Sequence, residues 1–193
     1  MKPLILASAS PRRRQLLHEA GVAFTVIPSN TAEELRPNES PEEYALRVAW
    51  EKAQDVAARH PGSWVLGADT IVAVDGLVLG KPKDAADGLR MLRLLSGRAH
   101  HVITAFALFN DTGQVSDHQW VASHVTFKTL TDEQIRDYLA TGEPFDKAGA
   151  YAVQGLGAAL VERVEGSYTN VVGLPMEEVL AALGAVGILP END

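Results

Sequence analysis

Three arginines follow a short turn of small hydroxyl residues near the start of the chain. The turn spans residues 8–10, and Arg12, Arg13 and Arg14 come directly after Pro11. The apolar run before the turn predicts a buried strand, and proline favours the first position of a helix. A helix N-terminus presents unpaired N–H groups and the positive end of the dipole, which disfavours basic side chains unless an anion is bound. The segment therefore predicts an anion site, and a polyphosphate site in particular.

The three arginines cannot all face one ligand, because a helix turns through about 100° per residue. We expect Arg12 and Arg13 to face the site together with the Ser8 hydroxyl, and Arg14 to be solvated or structural. The alternative is an ordinary capped helix whose arginines are all solvated.

Two further segments carry groups suited to phosphate chemistry. Asp69 lies two residues after Gly67, between two apolar stretches that predict strands, so its carboxylate can hold a divalent cation or orient a water molecule. Lys81 follows a glycine but precedes a proline, which excludes the P-loop pattern and leaves a point charge that can reach a phosphate. A turn aspartate and a solvated lysine are the alternatives.

Three other polar residues are weaker candidates on their own. Glu33 lies in a polar loop and Lys52 lies late in a predicted helix, where solvation is the simpler interpretation. Gln154 precedes a glycine, and its amide could read the edge of a nucleobase. A structural β-turn is the alternative there.

Composition limits the class of ligand. The chain has 193 residues, a net charge of −8 and no cysteine, so a nucleic-acid polymer, a thiolate metal site and a disulfide framework are disfavoured. No apolar run reaches the ~18–20 residues of a membrane span, and the short apolar start predicts no signal peptide. We expect a cytoplasmic protein with no membrane partner, and leave a homodimer open.

Helical and strand patterns alternate irregularly and predict an α/β fold with a mixed sheet in one domain, residues 1–193. The predicted strands span 4–7, 24–27, 64–66, 71–74, 77–79, 101–110, 114–129, 151–153 and 159–164. The predicted helices span 11–20, 41–59, 84–95, 131–141 and 175–183.

Segments in this order and spacing resemble the Maf family of nucleoside triphosphate pyrophosphatases. The segments are LILASASPRRRQLL, EEYALRVAWEKA, GADTIVAVDGLVLGKPKD, LSGRAHHVITAFAL, FDKAGAYAVQGLGA and GSYTNVVGLP. The resemblance implies an elongated mixed sheet with flanking helices, in two lobes around a central cleft. It also implies hydrolysis between the α- and β-phosphates with a divalent cation, Mg²⁺ or Mn²⁺.

The resemblance also implies a role for each candidate residue. Asp69 would accept the proton of the attacking water and, with Glu33, would hold the metal. The groups implied at the phosphates are Ser8, Arg12, Arg13, Lys52 and Lys81, with Arg13 as the main clamp.

Three positions distinguish subgroups within the family. Arg12, Thr70 and Gln154 match the form that resembles dTTP/UTP pyrophosphatases, whereas the 7-methyl-GTP form tends to have tryptophan, glutamine and glutamate there. Arg14 is the one position more typical of the 7-methyl-GTP form. A non-catalytic nucleotide-binding regulator of septum formation, a 7-methyl-GTP-type enzyme and a nucleotidyltransferase remain alternatives.

Overall fold

Seven strands form one mixed sheet in the computed structural model, which describes residues 3–189. The strands are β1 (Leu4–Leu6), β2 (Thr25–Val26), β3 (Trp64–Val74), β4 (Leu77–Leu79), β5 (Ala99–Phe109), β6 (Val115–Phe127) and β7 (Val161–Glu165). The α-helices are α1 (Pro11–Glu19), α2 (Pro41–Arg59), α3 (Ala85–Leu95), α4 (Asp132–Ala140), α5 (Tyr168–Val172) and α6 (Met176–Ala185). Three 3₁₀ helices span Glu143–Asp146, Ala148–Ala150 and Gly155–Leu160.

The sheet combines a parallel and an antiparallel part. Its order is β2-β1-β3-β5-β6-β7, and β4 pairs with β3 as the return strand of a hairpin. The strand β1 runs parallel to both β2 and β3, whereas β3, β5, β6 and β7 are antiparallel to their neighbours. The predicted α/β class with a mixed sheet is confirmed.

Helices cover both faces of the sheet, as the alternation of apolar side chains along β1 and β3 requires. Leu6 and Leu66 pack with α1 and α6 on one face, whereas Ile5 and Val65 pack with α2 on the other. Helices on both faces therefore pack against the same two strands, β1 and β3.

On one face of the sheet, the two halves of β3 belong to different clusters of the core. Trp64, Leu66 and Ala68 pack with α1 and α6, whereas Val72 and Val74 pack with α3 and α4. The helix α2 covers the other face along both halves. Asp69 and Thr70 lie between these halves. The two lobes predicted around a central cleft therefore meet along one continuous strand.

Side-chain caps mark the starts of α1–α5, whereas α6 has none. Ser40 accepts a hydrogen bond from the Glu43 N–H, and the Glu43 carboxylate accepts one from the Ser40 N–H. Thr131 and Gln134 form the same reciprocal capping box at the start of α4. Such caps satisfy N–H groups that the helix itself leaves without acceptors.

Two strand predictions are wrong. Residues 67–70 do not interrupt a pair of strands, because β3 continues through them as one 11-residue strand. Residues 151–153 form no strand, since 3₁₀ helices flank them and Gly149 and Ala150 adopt positive φ values of 69° and 62°. The strand predicted at 159–164 is shifted to 161–165, because a 3₁₀ helix occupies 155–160.

Among residues 3–189, no helix is both long enough and apolar enough to cross a lipid bilayer.

Candidate active site

All nine predicted site residues line one cleft of about 400 Å³ between the two lobes. They are Ser8, Arg12, Arg13, Glu33, Lys52, Asp69, Thr70, Lys81 and Gln154. They come from six separate parts of the chain, so only the tertiary fold brings them together. Arg14 is exposed and does not line the cleft, in agreement with its predicted orientation.

A lysine bridges two carboxylates at the floor of the cleft. The Lys52 Nζ lies 2.8 Å from Asp69 Oδ1 and 2.8 Å from Glu33 Oε1. Lys52 is only 8% exposed and Asp69 only 4%, because the buried face of α2 packs directly on β3. The three charges therefore interact with little screening by solvent.

The two carboxylates have opposite pKa shifts. Burial raises the pKa of Asp69, and the Lys52 ammonium offsets this effect only in part. Burial also acts to raise the pKa of Glu33, but the charges of Lys52 and Lys81 outweigh it, so that the pKa is lowered. Asp69 is therefore the stronger base of the pair and the better proton acceptor.

Arg13 is engaged by the protein itself. Its buried guanidinium uses four of its five N–H donors on protein oxygens, at distances of 2.8–3.0 Å. The acceptors are Gly173 O, Ser8 Oγ, Ala68 O and Thr70 Oγ1. Arg13 thus ties the turn before α1 to both neighbours of Asp69 in β3, and one N–H remains for a ligand.

Two other cationic side chains that face the cleft are not bound by protein acceptors. Within residues 3–189, neither the Arg12 guanidinium nor the Lys81 ammonium forms a hydrogen bond or an ion pair. Both are available to an anion that enters the cleft.

Thr70 and Gln154 also differ in whether other protein groups already bind their side chains. The Thr70 hydroxyl accepts a hydrogen bond from Arg13 and lies 2.9 Å from the Thr104 hydroxyl, so the protein already engages it. The Gln154 side chain lines the cleft and forms no hydrogen bond within the described part of the chain. Its amide is free to pair with a ligand.

Arg47 was not identified from the sequence, although it lies within a segment that carries the family resemblance. Its guanidinium binds both carboxylate oxygens of Glu39, a carboxylate oxygen of Glu51 and the Glu34 carbonyl at 2.5–3.0 Å. These bonds fasten the loop before α2 onto the helix. The loop thereby brings Glu33 to Lys52.

Asn170 was also missed and joins three elements behind the cleft. Its amide donates to Val102 O and Ser123 Oγ, and its carbonyl oxygen accepts from the Thr104 N–H. Asparagine in the short helix α5 gives no signal of this role, because all three partners are at least 47 residues away in sequence.

Comparison with protein families supports the resemblance. The family model described as Maf-like protein matches residues 3–186. The chain belongs to the Maf family.

Curated relatives within this family cover nearly the whole chain. A protein of Geobacter sp. (strain M21) is 52% identical over 186 residues, which is 96% of each chain, and is named dTTP/UTP pyrophosphatase. A protein of Geobacillus sp. (strain WCH70) with the same name is 46% identical, over 97% of this chain and all of the relative.

Among solved structures, the nucleoside-triphosphatase / dITP/XTP pyrophosphatase of Mycobacterium abscessus aligns with 97% of this chain and 99% of its own. Its TM-score is 0.46 and its sequence identity 17%. This similarity is too low to carry an argument about the site.

The donor set of this Maf family member suits a hard divalent cation. Residues 3–189 contain no cluster of three or more acidic, histidine or cysteine side chains arranged for a metal. However, the Glu33 and Asp69 carboxylates converge on one positive charge, that of Lys52. Mg²⁺ is commonly held by one or two carboxylates with water and substrate phosphates completing the shell. The residues present therefore fit such a cation when phosphates are bound.

Proposed function

We propose that this protein hydrolyses dTTP and UTP to the nucleoside monophosphate and pyrophosphate. The observation that carries the proposal is the buried Asp69 carboxylate, bound to Lys52 and facing a cleft in which Arg12 and Lys81 have no protein partner. This combines a proton acceptor with cations for a polyphosphate, which phosphoryl chemistry requires. The names of the curated relatives support the same activity.

In the proposed reaction, Asp69 accepts a proton from the attacking water. The water oxygen bonds to the α-phosphorus, the bond from that phosphorus to the bridging oxygen breaks, and pyrophosphate leaves with the electron pair. Burial raises the pKa of Asp69, which makes it a stronger base than a solvated aspartate. Arg12 and Lys81 compensate the charge of the phosphates and of the leaving group.

We propose that Glu33 and Asp69 would hold a divalent cation, Mg²⁺ or Mn²⁺. When bound, the cation would neutralise phosphate charge next to the proton acceptor. Lys52, which contacts both carboxylates, keeps them together without it.

Three residues support the pyrimidine preference. Gln154 presents a free amide to the cleft, and such an amide can pair with the carbonyl and N–H edge of uracil or thymine. Arg12 lies close enough to Asp146 and Tyr138 to affect both electrostatically, so it faces the same lobe as Gln154. Thr70 acts through Arg13, to which it is hydrogen-bonded.

Catalysis is favoured over a purely nucleotide-binding role. Binding a polyphosphate needs cations, and a buried carboxylate beside them would weaken it. Asp69 is nevertheless buried, at a cost in desolvation, in the middle of the cationic cleft. A proton acceptor explains this placement, whereas a binding-only site does not.

The deciding experiment is a panel of nucleoside triphosphates with Mg²⁺ or Mn²⁺, assayed for pyrophosphate release. We expect dTTP and UTP to give the highest kcat/KM, with monophosphate and pyrophosphate in equal amounts. Release of orthophosphate, or a preference for 7-methyl-GTP, would contradict the proposal.

The arginines of α1 are expected to differ in their contribution to catalysis. Arg12→Ala removes an unpaired cation of the cleft and should lower kcat/KM for dTTP by about tenfold or more. Arg14→Ala removes an exposed charge of the same helix and should change kcat/KM by less than about twofold. Steady-state kinetics on the matched pair checks this. Equal losses would show that only the general charge of α1 matters.

Lys52 is expected to set the acidic limb of the pH–rate profile. Its positive charge and hydrogen bond lower the pKa of Asp69 against the effect of burial. Lys52→Met removes both, so Asp69 loses its proton only at higher pH, and the limb of kcat/KM should move up by ~1 pH unit or more. Lys52→Arg keeps the charge and should leave the limb near its original position. A limb that stays in place in Lys52→Met would rule out Asp69 as the group that titrates.

Three broader expectations remain proposals. We propose that the chain acts as one domain, which the single sheet running through both lobes supports. A cytoplasmic location and a homodimer remain predictions.

A further inference from the structure

The segment 152–157 presents Gln154 to the cleft. Gln154 occupies the position just before the 3₁₀ helix Gly155–Leu160, and its own side chain forms no cap on that helix. The N–H groups at the start of this helix therefore need acceptors from elsewhere.

Tyr138 and Glu143, which lie outside the segment, contact its backbone on both sides of Gln154. The Glu143 carboxylate accepts hydrogen bonds from the Leu156 N–H at 3.0 Å and the Gly157 N–H at 2.9 Å. The Tyr138 hydroxyl donates to the same carboxylate at 2.9 Å and lies close enough to the Ala152 N–H to interact with it. The pair thus contacts the backbone on either side of Gln154.

The backbone of the segment packs closely on this pair. A Cβ on Gly155 would lie 2.8 Å from Glu143 Oε2, and a Cβ on Gly157 would lie 2.6 Å from the Tyr138 hydroxyl oxygen. Gly155 also has a φ of +68°, which a residue with a side chain rarely adopts. Glycine at both positions lets the backbone touch the pair directly.

The charge states of the pair suit this role at neutral pH. Burial acts to raise the pKa of Glu143, but the hydrogen bonds from Leu156, Gly157 and Tyr138, together with the charge of Lys147, outweigh it, so that the pKa is lowered. Burial and the neighbouring carboxylate raise the pKa of Tyr138, which stays protonated and able to donate. A charged acceptor strengthens each of these hydrogen bonds.

We propose that Tyr138 and Glu143 are positioning residues for base recognition, acting through Gln154. By fixing the backbone on both sides of that residue, they aim its amide at the base of the bound nucleotide. The proposal rests on the proposed pyrimidine triphosphate activity and adds to it the part of the protein that sets base selectivity. Neither residue needs to touch the nucleotide.

A double-mutant cycle tests whether the pair acts through Gln154. Glu143→Gln places an amide among N–H donors, and Tyr138→Phe removes only the hydroxyl and leaves the ring in the core. With Gln154 present, each change should lower kcat/KM for dTTP by about tenfold, mainly through KM. In a Gln154→Ala background, each should lower it by less than about twofold. Equal losses in both backgrounds would overturn the proposal.

Two further readouts separate positioning from general destabilisation. Inhibition by inorganic triphosphate, which has no base, should be unchanged in Glu143→Gln and Tyr138→Phe. The matched control is Glu162→Gln, which removes an exposed carboxylate from β7 and should leave both kcat/KM and inhibition unchanged. A weaker inhibition in either variant of the pair would show that it disturbs the phosphate site as well, against the proposal.

Binding measurements keep this proposal separate from the proposed activity. Calorimetry with α,β-methylene-dTTP measures the same double-mutant cycle without turnover. Glu143→Gln and Tyr138→Phe should each lower the affinity for this analogue by about tenfold only when Gln154 is present. A wild-type protein that binds the analogue but releases no pyrophosphate from dTTP would contradict the activity, while the cycle would still decide the positioning. A wild-type protein that does not bind the analogue would contradict both.

Discussion

Asp69→Asn is expected to lower kcat for dTTP by roughly 10²–10⁴-fold and to leave the fold intact. Asparagine preserves the shape of the side chain but cannot accept the proton of the attacking water, and general-base catalysis contributes a factor of this size. Rates of pyrophosphate release at saturating substrate measure the effect. A variant with a nearly normal kcat would remove Asp69 from the role of proton acceptor.

Asp69→Asn should change the thermal stability of the protein much less than its activity. Burial raises the pKa of Asp69 in the folded protein, so the ionised carboxylate opposes folding at pH values above its normal pKa. Asparagine removes that cost, and Lys52 keeps its ion pair with Glu33. Thermal unfolding of Asp69→Asn should therefore stay close to wild type. Asp137→Asn, at an exposed position of α4, is the control and should change neither quantity.

Local signals in the sequence were sufficient for five of the six α-helices, whereas α5 was not predicted. Helices were predicted to start near residues 11, 41 and 131, and Ser10, Ser40 and Thr131 at these starts each accept the backbone N–H of the residue three positions further on. These interactions span three residues, so their geometry follows from the helix itself. The same holds for the exposed position of Arg14, which the turn of the helix sets.

Hydrogen-bond acceptors that lie far away in the sequence could not be predicted from local signals. Arg13 was predicted as the main phosphate clamp, yet one of its acceptors is the carbonyl of Gly173, 160 residues away. Glu143 gave no sign of its role either, because its carboxylate accepts N–H groups of a 3₁₀ helix that begins 12 residues further along the chain. Which N–H finds which oxygen is decided by tertiary packing. The family resemblance supplied the residues of the cleft but not their connections.

Gly67 lies where the sequence predicted a gap between two strands. Residues 67–70 were predicted to separate strands 64–66 and 71–74, but β3 runs through them. Glycine is needed here because the backbone of α2 lies against the strand. A Cβ on Gly67 would lie 2.4 Å from Ala49 O and 2.6 Å from Ala53 N. This contact places Lys52, which precedes Ala53, against Asp69.

Gly67→Ala is therefore expected to damage stability and activity together. The added methyl group meets helix backbone, which cannot rotate away, so α2 must move off the sheet. Overpacking of this kind should lower the free energy of unfolding by ~3 kcal/mol or more and Tm by roughly 6–12 °C. The same displacement separates Lys52 from Asp69 and should lower kcat. Denaturant unfolding and pyrophosphate release measure the two effects.

Gly184→Ala is the matched control for this substitution. Gly184 lies in α6, and a Cβ there would have no heavy atom within 4 Å. Alanine favours the helix over glycine, so this change should raise the free energy of unfolding by roughly 0.5–1 kcal/mol and leave kcat unchanged. The opposite signs follow from what each methyl group meets, which is helix backbone at Gly67 and open space at Gly184. A Gly67→Ala protein as stable as Gly184→Ala would show that α2 can yield, and that its contact with β3 does not fix the Lys52–Asp69 pair.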